Sequence, residues 1–169
     1  MRNHSTFVLD VRELLEAPGT RRSVTVDAPV AGLDTGIVTV PGDLRLEAVL
    51  EAIDGGVLAR GTMTGEYRSE CRRCLREVRA PFRFTEDEVY RPKGDVWEEG
   101  YEITESKVDL ELMVRDTVAL NLPPNPLCRQ DCAGLCARCG ADLNQGACGC
   151  PEETDPRWSA LRDLGRLNG

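Results

Sequence analysis

Eight cysteines are the residues of this 169-residue chain whose type and spacing carry chemistry. Cys71-Arg72-Arg73-Cys74 stands alone in the middle, and Cys128, Cys132, Cys136, Cys139, Cys148 and Cys150 crowd the tail. A Cys-x-x-Cys turn followed by glycine, as in Cys136-Ala137-Arg138-Cys139-Gly140, bends the backbone until two thiolates converge on one ion. Eight thiolates complete two four-sulfur sites, so the expected cofactor is zinc, two ions per chain. An iron–sulfur cluster is the second reading, although no segment matches the Cys-x2-Cys-x2-Cys-x3-Cys-Pro run. Redox-active or bridged thiols are the third. Residues 1–10 hold no apolar run of signal-peptide length, which sets the expectation of a reducing cytoplasm, where metal ligation outcompetes disulfides.

Catalysis finds few companions for these thiols. His4 is the only histidine, and the deaminase signature, phosphate loops, nucleophile elbows and dinucleotide fingerprints are all absent from the sequence. A dithiol oxidoreductase built on Cys71 and Cys74 would draw on flanking arginines to lower a thiol pKa, but the βαβ context it needs is missing. The expected protein is therefore not an enzyme and takes no small-molecule substrate.

Charge singles out one stretch. The formal net charge is −8, yet residues 68–85 carry 6 basic and 2 acidic groups, while 86–111 carry 3 and 10. Two tetrathiolate zinc centres would take the total to about −12. Arg68, Arg72, Arg73, Arg76, Arg79 and Arg83 then have two readings: they offset the local anion, or they form a surface for RNA phosphates or a ribosomal partner. No stretch approaches a membrane span.

The elements that position these groups read mainly as strands. Residues 7–9 suggest a short strand entering a helical turn capped by Asp10, and 22–27 and 36–40 are short β-branched runs. Leu44, Leu46, Ala48 and Leu50 alternate up to Asp54-Gly55-Gly56, a hairpin turn, although a helix over 44–53 stays open. Val57, Ala59, Met63 and Tyr67 keep period two on the return, and Val78, Ala80, Phe82 and Phe84 resume it after the first cysteine pair. That pair sits at a strand–strand connection. Residues 86–107 read as a long acidic loop in which Trp97 and Tyr101 pin the chain to its core or anchor a partner. A helix is expected over 108–120, with Leu112, Val114 or Arg115, Val118 and Leu122 on one face, ended by Pro123-Pro124. A second, capped by Asp155, is expected to present Trp158, Leu161 and Leu164.

Cys136, Cys139, Cys148 and Cys150 are compact enough to close one site. Cys71, Cys74, Cys128 and Cys132 would then form a long-range clip, unless four of the six tail cysteines combine differently. The expected fold class is α+β: an antiparallel, β-rich domain over 1–127 with few helices, and a zinc-stabilised C-terminal lobe over 128–169.

Cys71-Arg-Arg-Cys74-Leu75, the acidic stretch, and the tail string Cys128-x2-Asp131-Cys132-x-Gly134-Leu135-Cys136-x2-Cys139-Gly140-x-Asp142-Leu143-Asn144-x3-Cys148-x-Cys150 resemble the YceD family of bacterial large-ribosomal-subunit RNA accumulation proteins. The resemblance implies a cytoplasmic, non-enzymatic factor for 23S ribosomal RNA processing or accumulation, acting through ribosomal RNA, a ribosomal protein, or both. Two alternatives stand beside it. One is a zinc-ribbon chaperone whose acidic 86–111 segment holds a basic ribosomal protein without touching RNA; the other is a thiol redox sensor.

Overall fold

The computed structural model describes residues 6–94 and 100–151. In chain order its elements are β1 (Val8–Asp10), α1 (Arg12–Leu15), β2 (Arg21–Pro29), β3 (Val38–Thr39), β4 (Asp43–Ile53), β5 (Gly56–Glu70), β6 (Glu77–Pro92), β7 (Tyr101–Ile103), β8 (Lys107–Asp109) and α2 (Leu110–Asn121). One sheet runs β2-β4-β5-β6-β7, with β3 pairing the far end of β5, and β1 and β8 form a separate two-stranded ribbon. All pairings are antiparallel except β6 with β7. The strand-rich α+β class expected from the sequence is the class observed.

Period two decides the sheet. Along β4, Leu44, Leu46, Ala48, Leu50 and Ala52 are buried while Arg45 and Glu47 face solvent, so the helical alternative for 44–53 is discarded. A helix would scatter those five side chains around its axis instead of lining one face. The hairpin closes on two residues, Asp54 and Gly55, with Ile53 opposite Gly56; Gly55 takes a φ of +72°, a left-handed turn conformation.

Residues 86–107 are the main correction. The acidic segment is not a loop up to Pro92: it continues β6, pairing with Val57–Gly61 of β5. Its acids are strand residues with cross-strand neighbours. Asp87 lies opposite Arg60 and forms an ion pair with it at 3.2 Å, and Glu86 lies opposite Gly61. Tyr101–Ile103 and Lys107–Asp109 are strands as well. Tyr101 holds the segment to the body by stacking on Tyr90 at 5.2 Å and donating its hydroxyl to Asp116 Oδ2 at 2.7 Å. Trp97 and the helix expected after Asp155 lie outside the described residues.

Helix α2 starts at Leu110, where the Asp109 carboxylate caps Glu111 N at 2.9 Å. It buries Leu110, Met113, Val114, Thr117 and Val118. The expected stripe is shifted: Leu112 is 45% exposed, and Met113 takes the inward place. Met113 lies so close to the sheet that a Cβ at Gly61 would meet its Cε at 3.0 Å. The core fills the space between the inner sheet face, α2 and the β1–β8 ribbon, with Leu44, Leu46, Leu50, Met63, Tyr90, Val108 and Leu110 among its most buried members. The far ends of β5 and β6 carry the chemistry.

Candidate metal centres

Where β5 hands over to β6, the backbone folds into a knuckle. Cys71 N donates to Arg76 O at 2.8 Å and Leu75 N to Cys71 O at 2.9 Å, with Leu75 forced to a φ of +60°. Beyond α2, Leu122 is extended and the proline-rich segment returns the chain to this knuckle, where Pro126 O accepts Arg72 N at 2.9 Å. The next turn delivers Cys128 and Cys132. Gly134, at a φ of +80°, lets this turn sit against the knuckle, since a Cβ there would meet Arg73 O at 3.0 Å.

The four Sγ atoms of Cys71, Cys74, Cys128 and Cys132 all lie within 4.8 Å of one another. The Cys71–Cys132 Sγ separation is 3.9 Å and the Cys74–Cys128 separation 3.6 Å. Tetrahedral zinc with bonds of about 2.3 Å places its sulfurs about 3.8 Å apart, whereas a disulfide needs about 2.05 Å. The spacing is that of a tetrathiolate, and the residues fit a metal ion. This inner centre has its own small apolar shell of Val78, Tyr67, Leu127 and Leu135. Cys71 is 0% exposed and Cys132 1%.

The second group, Cys136, Cys139, Cys148 and Cys150, likewise has all Sγ atoms within 4.8 Å, so the thiols divide as the spacing suggested. Its knuckle closes through Gly140 N to Cys136 O at 2.9 Å, and Arg138 N donates to Cys136 Sγ at 3.4 Å. Cys139 is exposed and the other three are half-buried. The inner group is covered except at Cys128, which is exposed, and the outer group stands at the surface.

Protonation in both groups is compatible with a shared cation. Burial pushes the Cys71 thiol up, but backbone N–H groups of Cys128, Cys74 and Arg73 outweigh it and bring it down to about 6. Burial and the neighbouring sulfurs drive Cys128 up to about 12. In the outer group the backbone N–H groups of Cys139 and Arg138 draw Cys136 down to about 6, while Cys139 and Cys148 push Cys150 up to about 12. Some thiols are prepared as thiolates, and their charge keeps others protonated; a divalent ion removes that conflict.

The arginines divide by use. Arg73 reaches across to Cys132 O at 2.8 Å and Gln130 O at 3.3 Å, and Arg76 forms an ion pair with Asp142. These two join the knuckle to the tail. Arg79 pairs with Glu77 along its own strand. Arg68, Arg72 and Arg83 make no ion pair among the described residues. Arg68 lies directly opposite Arg79, and Arg83 follows on the same outward face of β6. Beside them Ile37, Arg68, Ser69, Arg72 and Leu75 line a cleft of about 540 Å³, and Leu75 is 61% exposed.

Asp142 and Asn144, between Cys139 and Cys148, belong to the site although neither is a metal-ligand type for these groups. Asn144 Nδ2 donates to Cys132 Sγ at 3.5 Å, and its Oδ1 accepts from Arg129 Nη2 at 2.7 Å and Ala133 N at 2.9 Å. Two Asx residues inside a ligand loop were the available signal.

Comparison with known proteins decides the family. Residues 59–165 match the family model described as large ribosomal RNA subunit accumulation protein YceD. The chain belongs to the YceD family. It is 31% identical over 169 residues to an uncharacterized protein of Mycobacterium tuberculosis (strain ATCC 25618 / H37Rv), covering 95% of this chain and 82% of that one. A Mycobacterium leprae protein, also named uncharacterized, is 30% identical over 95% of this chain and 78% of its own length. A shorter match, 36% over 59 residues, covers 34% of this chain and 18% of an Arabidopsis thaliana protein named large ribosomal RNA subunit accumulation protein YCED homolog 1, chloroplastic. No solved structure matches the chain. The YceD match spans both cysteine groups and the whole arginine-rich stretch. No described helix is long and apolar enough to cross a membrane.

Proposed function

We propose that this YceD protein is a non-enzymatic cytoplasmic factor for processing and accumulation of 23S ribosomal RNA during large-subunit assembly. In this reading two structural zinc ions hold a lobe over 128–169 on a body over 1–127, and the outward arginines Arg68, Arg72, Arg79 and Arg83 touch ribosomal RNA. The single observation that carries it is the cross-strand pair Arg68–Arg79, with Arg83 on the same face. Like charges placed directly opposite are destabilising, and here Glu77, paired with Arg79, offsets part of that repulsion. An external phosphate would turn that cost into binding energy. Arg73 and Arg76, bonded to the tail, leave the contact set and become structural.

The chaperone alternative has fewer free acids than the sequence alone suggests, although the exposed pairs among them are weak. Several acids of 86–111 are already engaged: Asp87 with Arg60, Glu102 with Lys93, Glu111 with Arg115, and Asp109 as the helix cap. Redox sensing finds no support at Cys71, which is sealed from oxidants, and would have to act through the half-buried Cys136.

A salt titration separates these readings. With three to four phosphates neutralised, log K for a 23S fragment is expected to fall against log salt with a slope of about −3. Salt-insensitive RNA binding, or affinity only for a basic ribosomal protein, would overturn the arginine-face reading.

A further inference from the structure

We infer that Asn144 couples the two thiolate centres, so that loading the exposed one tightens the buried one. The inference rests on the reading of both groups as metal centres. Asn144 belongs to the ligand loop of the outer centre, yet its amide N–H points at Cys132 Sγ of the inner centre, 3.5 Å away. It is a positioning residue for that thiolate. Its orientation is fixed from both sides: Oδ1 accepts from Arg129 and Ala133, whereas Nδ2 and the Asn144 backbone N–H both donate to Asp142 Oδ1, at 2.6 and 3.0 Å. Asp142 in turn takes Arg76 from the first knuckle, and Gln145 Nε2 at 3.3 Å. Leu143 N donates to Gly134 O at 2.9 Å, fastening the loop beside the inner centre's second turn.

A loop anchored at Cys139 and Cys148 is ordered when an ion joins those two residues. Ordering it holds the Asn144 donor on Cys132, which stabilises the charged sulfur that the inner ion requires. Linkage makes the effect reciprocal: an occupied inner centre holds Asn144, and with it the loop, ready for the outer ion. Hydrogen-bond partners outside the ligand set typically change metal affinity about 10–100-fold, which sets the size of the coupling.

The test is zinc competition against a chelator on the full chain. The wild type is expected to bind two ions with a combined constant about 10–100-fold above the product of the single-centre constants, measured in C148S/C150S and C71S/C74S chains. Asn144→Asp is expected to abolish the excess. It keeps an oxygen toward Arg129 and Ala133 but replaces the donor facing Cys132 with an acceptor. Because Asn144→Asp also sets a carboxylate against Asp142 Oδ1, the double variant Asp142→Asn/Asn144→Asp, which keeps a hydrogen bond between positions 142 and 144, is the control: a purely structural role would be spared in it, whereas the excess stays abolished if the donor to Cys132 carries the coupling. Should C71S/C74S fail to fold, release of zinc from the inner centre supplies the comparison, expected about 10-fold faster in C148S/C150S than in the intact chain. No excess, an excess that survives Asn144→Asp, or equal release rates would overturn the coupling. A wild type that binds no zinc would overturn the metal reading itself.

Discussion

Replacing Cys132 with serine is expected to empty the inner centre and lower the melting temperature by about 10 °C or more, whereas Cys148→Ser lowers it by about 5 °C or less. Both variants remove one of four thiolates, so the difference comes from position. Cys132 is 1% exposed and joins residues 61 positions apart through Cys71, closing the segment that includes α2. Losing that clip frees a long loop in the unfolded chain and leaves the sulfurs of Cys71 and Cys74 buried without a cation. Structural zinc contributes folding free energy directly, and a few kcal/mol lost in a chain of this size amounts to about 10 °C. Cys148 lies in a short surface loop that closes on its own neighbours, so its loss stays local. Thermal melts with and without chelator check both values, and chelator, which empties both centres, is expected to bring the wild type to or a few degrees below the Cys132→Ser melting temperature.

The second large effect concerns the arginine face. The triple variant R68E/R79E/R83E is expected to lose about 100-fold or more in affinity for 23S fragments at physiological salt, and to flatten the salt slope by about 2, leaving the share of Arg72. Stability is expected to hold within about 1 kcal/mol, because all three side chains lie on the outward face and exposed pairs such as Glu77–Arg79 contribute little. In cells the variant should accumulate to normal levels, detach from large-subunit particles and raise 23S precursors. Arg73→Glu serves as the contrast. It removes two bonds to the tail backbone, so it is expected to act through melting temperature and zinc retention.

These two effects separate what the cysteines do from what the arginines do, a division that the sequence shows only in part. Alternation in 44–50, 57–67 and 78–84 was legible because one sheet face is buried and the other wet, which prints period two on the chain. Asp54-Gly55 was legible because a two-residue turn demands a left-handed residue. The strand over 86–92 was hidden: its acids look like a loop until Arg60 and Gly61 are known to lie opposite. The parallel pairing of β6 with β7 has no local signature, since it depends on a chain return after Pro92. At the centres, spacing revealed the ligands, but not the hydrogen bond from Asn144 to Cys132, which joins two groups only in three dimensions. Six arginines looked equivalent in sequence; their partners divide them into tail-joining and outward sets.

Two tetrathiolate centres would hold the arginine face in place. Metal content and free-thiol count on anaerobically purified full-length protein test that most directly. Two zinc ions per chain and no thiol reactive under native conditions are the result expected from the two groups of four converging sulfurs. One ion with four reactive thiols, or no ion with all eight cysteines reactive, would contradict it.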